Sequence, residues 1–331
     1  MNRLVKIAAL CAALCVLTSV AFAQQNAITL GYSGGTGLTS DLRRVIERER
    51  IWEKYGLSVK AIYFNSGSLM AQAMAGGSIT AADSDLPAML SLAVSGIADM
   101  KTIAVTINRL EHIFVSRKNI AKPEELKGKR IAVSRLGSAS DFVTQMVLRT
   151  WKIDPAKEVT LLQAGNTPTR MTALVAGHVD AALIGPDNLH KVLATGCCRV
   201  LADLSELPLD YARFGVMIPT ALIKNQRDMV RRMLMAYVEG IHIFKTRPKL
   251  AYAIMEESNI KDPVVQKDLY ERLAKSFREY PIPEANGIQG ALDSLTHPNA
   301  KILKPAALMD TTLLEEIKKS GFIDKLYGRA S

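Results

Sequence analysis

Cysteine is scarce in this 331-residue chain and badly placed for cross-linking. There are four. Cys11 and Cys15 lie near the start, and Cys197 and Cys198 are adjacent. Neighbouring cysteines close only a strained ring, so the sequence offers no disulfide framework, and stability must come from core burial. Histidine is also sparse. His112, His178, His190, His242 and His297 stand far apart, with no metal-ligand spacing, and no metal site is expected. No G-x-S-x-G nucleophile elbow is present, because Gly31-Tyr32-Ser33-Gly34-Gly35 flanks its serine wrongly. Neither a P-loop nor a dinucleotide fingerprint occurs, so no nucleotide cofactor is expected. Aromatics make up 6% of residues, and no basic patch is interleaved with them. That argues against nucleic acid as a partner.

Long apolar runs are missing too, apart from the first. Arg3 and Lys6 precede the apolar stretch Ile7 to Val20, and Ala21-Phe22-Ala23 has the small-residue form of a cleavage site. Residues 1–23 therefore read as a secretory signal peptide. Its removal takes the formal net charge from +10 to +8. The expected mature protein is exported to the periplasm, soluble and monomeric, with a mildly basic surface that could steer an anion.

What is present is a duplication. GSITAA at 77–82 is echoed by GHVDAA at 177–182. A helical run precedes each, LMAQAMAG and RMTALVAG. Upstream, ITLGYSGG parallels RIAVSRLGSASD, and LSVKAIYFNSGS parallels EVTLLQAGN. Each copy reads strand, small-residue loop, helix, strand, small-residue loop, helix, strand. Such alternation predicts two α/β lobes with mostly parallel sheets, since parallel neighbours need crossovers. Ile113–Ser116 and Phe214–Ile218 read as extended links between lobes. The C-terminal third reads as helices over about 226–246, 248–257, 263–278, 284–296 and 310–319.

The chemistry concentrates in loops after strands. Ser66-Gly67-Ser68 and Gly137-Ser138-Ala139-Ser140 both sit where a strand hands over to a helix. Glycine admits close approach, a helix start offers free N–H groups, and serine adds a hydroxyl. Asn166-Thr167-Pro168-Thr169 is the counterpart of the Ser66 loop. Asp83-Ser84-Asp85 ends a strand and suits an amine, a protonated pyrimidine or an arginine; Asp85 could also cap the next helix. Ser40 or Asp41 could cap the helix after the first loop. Arg109 suits a carboxylate, sulfonate or phosphate. Gly185-Pro186-Asp187 could form a rigid wall. Basic charge and helix-start serines point to an anion, the aspartates to a cation, and the sequence leaves both open.

Several stretches carry a family resemblance: WEKYGLSV at 52–59, AGGSITAADSD, PEELKGKRIAVSRLGSASD at 123–141, AGHVDAAL at 176–183, RRMLMAYVEGIHIFKT at 231–246 and the terminal SGFIDKLYG. Together the chain resembles the substrate-binding proteins of ABC importers for nitrate, taurine, alkanesulfonates and thiamine pyrimidine precursors. The resemblance implies a two-lobed type II periplasmic binding protein fold. Lobe 1 would take 24–112 and 214–331, lobe 2 would take 113–213, and hinges would lie near His112–Val115 and Arg213–Met217. It also implies a small-molecule ligand in the cleft, an ABC permease of the inner membrane as partner, and no cofactor or catalytic group. The ligand would meet Ser33, Gly34, Ser66, Gly67, Ser68, Leu69, Asp83, Ser84, Asp85 and Arg109 from one lobe. From the other it would meet Ser138, Ser140, Asp141, Asn166 and Gly185. Two alternatives accompany this reading. One is an enzyme on the same fold with Asp83 and Asp85 as its acid/base pair, although Cys197-Cys198 does not reproduce the cysteine-rich motif of the pyrimidine-forming enzyme. The other is a ligand sensor that docks on a receptor kinase.

Overall fold

A computed structural model describes residues 26–33, 38–207 and 210–329. The leader, Gly34 and the rest of the glycine-rich loop after it lie outside the described residues. The strands in chain order are β1 (Ala27–Ser33), β2 (Ser58–Phe64), β3 (Ala81–Asp85), β4 (Met100–Ile107), β5 (Ile113–Arg117), β6 (Arg130–Val133), β7 (Thr160–Gln163), β8 (Ala181–Ile184), β9 (Cys198–Asp203) and β10 (Phe214–Pro219). They form two five-stranded sheets, ordered β2-β1-β3-β10-β4 and β7-β6-β8-β5-β9.

The duplication holds at the level of topology. In the first sheet β1 runs parallel to β2 and β3, and in the second β6 runs parallel to β7 and β8. The supposed links are themselves strands. β10 inserts antiparallel between β3 and β4, and β5 inserts antiparallel between β8 and β9. Each lies between two strands, so its backbone groups are paired on both sides, and the extended apolar links are ladder members. Two short crossovers, 108–112 and 204–213, join the sheets.

Burial explains the strands. β3 and β8 are covered on both faces, so their residues need no alternation. Leu30, Val45, Ile46, Ile103, Tyr237 and Phe244 belong to a core between the first sheet and the C-terminal helices. A second core draws on both halves, joining Met70 and Leu90 to Phe114, Phe142 and Ile288. The C-terminal helices Arg227–Thr246, Pro248–Glu257, Pro263–Ser276, Ala285–Ser294 and Thr312–Lys319 follow the proline punctuation closely.

Helix Ala285–Ser294 lies against the second crossover. A Cβ at Gly290 would stand 2.1 Å from the Asp210 carbonyl oxygen, so only glycine allows this approach. The Ala212 N–H donates to the Gly287 carbonyl at 2.8 Å. One capping expectation is corrected. Helix Leu38–Arg48 starts before Ser40 and Asp41, which therefore lie inside it. Among the described residues no helix is long and apolar enough to cross a membrane.

Candidate functional site

Strands β1, β3, β6 and β8 end on a common cavity of about 80 Å³ between the sheets. Its first-sheet wall holds Ser33, Asn65, Ser66, Gly67 and Asp85; its second-sheet wall holds Ser134, Ser138, Ser140, Asn166, Arg170 and Gly185. His112 and Arg213 reach it from the two crossovers.

Helix starts define the walls. Ser66 caps helix Gly67–Ala75, its hydroxyl accepting from Leu69 N–H at 3.3 Å. Ser138 caps helix Ala139–Thr150 and accepts from Asp141 N–H at 3.4 Å. Asn166 caps helix Thr167–Val175 and accepts from Thr169 N–H at 3.2 Å. Gly185 precedes helix Pro186–Ala194 with no side-chain cap. Four helix N-termini thus bring partial positive charge to one small volume. Three serines form a closed set beside them. Ser134 donates to Ser138 at 2.7 Å, Ser140 donates to Ser134 at 3.0 Å, and Ser134 N–H donates to Ser140 at 2.8 Å.

The charges are unequally settled. Arg213 lies 3.3 Å from Asp85 and 3.1 Å from Glu111, which also accepts from the Ser276 hydroxyl. One buried cation thus serves two carboxylates, Glu111 buried and Asp85 at the cavity wall. Asp85 stands at the N-cap position of helix Leu86–Val94 but makes no cap bond; it faces Arg213 instead. Burial raises the Asp85 carboxyl above its usual range, while Arg213 and Arg170 pull it back.

Arg170 has no such partner. It is only 4% exposed. Its donors go to the Gly165 carbonyl at 2.9 Å, the Thr167 hydroxyl at 3.0 Å and the Leu183 carbonyl at 3.2 Å. All of these acceptors are neutral, and among the described residues it forms no ion pair. Burial lowers its pKa to about 10, with Asp85 and Tyr63 opposing, so it stays charged at neutral pH. A buried cation held by neutral dipoles leaves part of its charge for a ligand to meet.

His112 is buried, and its Nδ1 has no hydrogen-bond partner. Burial, then the charges of Arg213 and Arg170, hold its pKa well below the usual value, which keeps the ring neutral. Burial raises Asp187 to about 6. Asn166 Nδ2 donates to the Tyr63 hydroxyl at 3.4 Å, a side-chain link from one wall to the other.

Of the residues expected at the ligand, Ser33, Ser66, Gly67, Asp85, Ser138, Ser140, Asn166 and Gly185 line this cavity. Gly34 lies outside the described residues, and the remaining expected residues are not in the cavity lining. Asp83 lies beneath helix Arg227–Thr246 and accepts from the Tyr237 hydroxyl at 2.8 Å. Ser84 is fully buried and bonds the Asp85 carbonyl. Ser68 and Leu69 serve the cap of their own helix. Asp141 accepts from Gly137 N–H at 2.8 Å and Gln145 at 2.9 Å. Arg109 donates to the Ser205 carbonyl at 3.0 Å and lines a separate groove with Arg272 and Lys275. Asp187 lines the cavity within the Gly185-Pro186-Asp187 turn, whereas Arg170, Arg213, His112 and Ser134 were not anticipated as ligand contacts.

Two sheets of this strand order, joined by two crossovers around a cavity at their strand ends, define the periplasmic binding protein fold. A structure from Bordetella bronchiseptica RB50 matches with a TM-score of 0.80 at 19% identity, covering 92% of this chain and 98% of that one. The alkanesulfonate-binding protein SsuA of Xanthomonas axonopodis pv. citri, bound to MOPS, matches with a TM-score of 0.69 at 17% identity, covering 86% and 96%. The periplasmic nitrate-binding protein NrtA of Synechocystis PCC 6803 matches with a TM-score of 0.67 at 13% identity, covering 89% of each chain.

The chain belongs to the NMT1/THI5-like family, whose model matches residues 52–251. A Brachyspira hyodysenteriae protein named as an ABC transporter periplasmic binding protein is 26% identical over 213 residues. The match spans 60% of this chain and 60% of that relative's length.

Proposed function

We propose that this protein is an exported solute-binding protein of an ABC importer, and that its ligand is a compact molecule with an oxyanion head. The observation that carries the ligand class is Arg170, a buried guanidinium on neutral acceptors among four helix N-termini. The aspartates that favoured a cation are already engaged, Asp85 by Arg213 and Asp83 by Tyr237. The family match and the relative named as a transporter binding protein support the transport role. Ser138, Ser140 and Asn166 would orient the head group, with Ser33, Ser66 and Gly67 closing over it.

In this reading lobe 1 comprises 24–112 and 214–331, and lobe 2 comprises 113–213. The lobes close about the two crossovers, and the closed form docks on a permease as a monomer. Residues 1–23 direct export. No residue is assigned a catalytic role.

Thermal shift against nitrate, small sulfonates, small carboxylates and neutral pyrimidines tests the ligand class. Compact oxyanions should raise the melting temperature by mass action. Stabilisation by neutral pyrimidines or amines alone would overturn it.

A further inference from the structure

The two cysteines of the described chain stand apart from the cavity. Cys198 opens β9 opposite Arg117, the last residue of β5. His112 lies five residues back along that strand path, on the order of 16 Å away at ~3.3 Å per residue. The pair therefore belongs to no ligand wall.

Its geometry is asymmetric. The sulfurs are 2.8 Å apart. Cys198 is buried among Val115, Leu174 and Val192, while Cys197 is partly exposed in the turn before β9. The Thr195 hydroxyl lies 3.1 Å from the Cys197 sulfur. Arg117, which donates to the Leu174 carbonyl, forms no ion pair among the described residues and adds positive charge nearby. We infer that Cys197-Cys198 is a thiol–disulfide exchange site, with Cys197 as the attacking thiol and Cys198 as the resolving thiol.

The acidities run the same way. Burial pushes Cys197 up, but contacts with Cys198 and Thr195 and the charge of Arg117 outweigh it and leave the thiol below its usual range. Burial, then Cys197, raises Cys198 to about 12. A more acidic, exposed thiol beside a protonated, buried one is the arrangement in which a first sulfur attacks and a second waits.

The oxidant is a disulfide, small or protein-borne. The Cys197 thiolate attacks one of its sulfurs, forms a mixed disulfide and releases one thiolate. Cys198 then gives its proton to solvent and attacks the Cys197 sulfur, which expels the second thiolate, and both released thiolates take protons from solvent. Two electrons leave the pair, and one oxidant disulfide becomes two thiols. The product is an eight-membered ring at the head of β9. It strains the peptide whose carbonyl accepts from Lys118 N–H at 3.0 Å, which loosens the join to β5.

Trypsin places both cysteines in one peptide, 192–199, so the full chain can be assayed directly. After exposure to oxidised glutathione, that peptide should lose two hydrogens in mass and regain them with dithiothreitol. Cys198→Ser should accumulate the glutathione adduct on Cys197. Cys197→Ser should slow thiol loss by about tenfold or more. Persistence of both thiols in the wild type, a stable adduct on Cys198, or interchain dimers would each overturn the assignment. The wild-type result decides the matter even where a variant folds poorly.

Discussion

The two halves of the molecule share a topology and differ in where they keep their charge. Residues 66–77 and 166–177 align at a constant offset. Ser66 and Asn166 both cap a helix and accept from the N–H three residues on. Four residues after each cap the halves part. Met70 is fully buried in an apolar core, whereas Arg170 is nearly as buried and carries a charge. At the next loop the contrast reverses, with Asp85 in the first half and Gly185 in the second. The first half's acid is met by Arg213 from the second crossover, while the second half's cation forms no ion pair among the described residues. One half therefore serves as a settled scaffold, and the other presents the unmet charge that a ligand would answer.

Exchanging the halves' residues is the harshest test. Met70→Arg puts a guanidinium into the apolar cluster that holds Met70 and Ile79. It should cost more than about 4 kcal/mol, seen as loss of cooperative unfolding or of soluble protein. Arg213→Met removes the crossover cation that balances the first half's acid and leaves Asp85 and Glu111 without an ion-pair partner. Urea unfolding should show a loss of about 3–5 kcal/mol.

Asp83 gives the first half a pH signature. Burial raises its carboxyl from 3.8 to about 7, against the lowering effects of Tyr237 and Arg43. An acid raised by folding holds its proton longer when folded. Its contribution is therefore full below the unfolded value and is lost as pH rises towards 7. Asp187, raised to about 6, acts in the same direction. Asp83→Asn should flatten the rise in stability on acidification across that window and stabilise the protein at neutral pH by a few kcal/mol. An unchanged pH profile of the urea midpoint would contradict this assignment.

The smallest effect belongs to the contact across the walls. Tyr63→Phe removes the acceptor of the 3.4 Å bond from Asn166. Less than about 1 kcal/mol should be lost, detected as a small shift towards the open form in scattering.

Much of this comparison was legible in the chain. The internal echo pointed to both sheets, and the loops of Ser66, Ser138 or Ser140, and Asn166 were readable as helix starts because capping is local, set by residues three apart. Partners that come from distant segments were not. Arg213 meets Asp85 and Glu111 only because β10 inserts beside β3. Asp83 and Asp85 look alike in sequence, yet Asp83 sits one pleat further in, under Tyr237. Arg170 read as an ordinary helix residue in RMTALVAG. The signal that would have found it was its twin, since a charge at the position of a core methionine needs a reason to be there.

The most direct test of the account is a calorimetric titration of the most stabilising oxyanion into the wild type and into Arg170→Met, which restores the first half's residue. Binding at one site per chain that weakens by about a hundredfold or more in the variant, with both proteins folded, is the expected result. Equal affinity for the two proteins would show that this guanidinium does not hold the ligand, and the assignment of the cavity would fall.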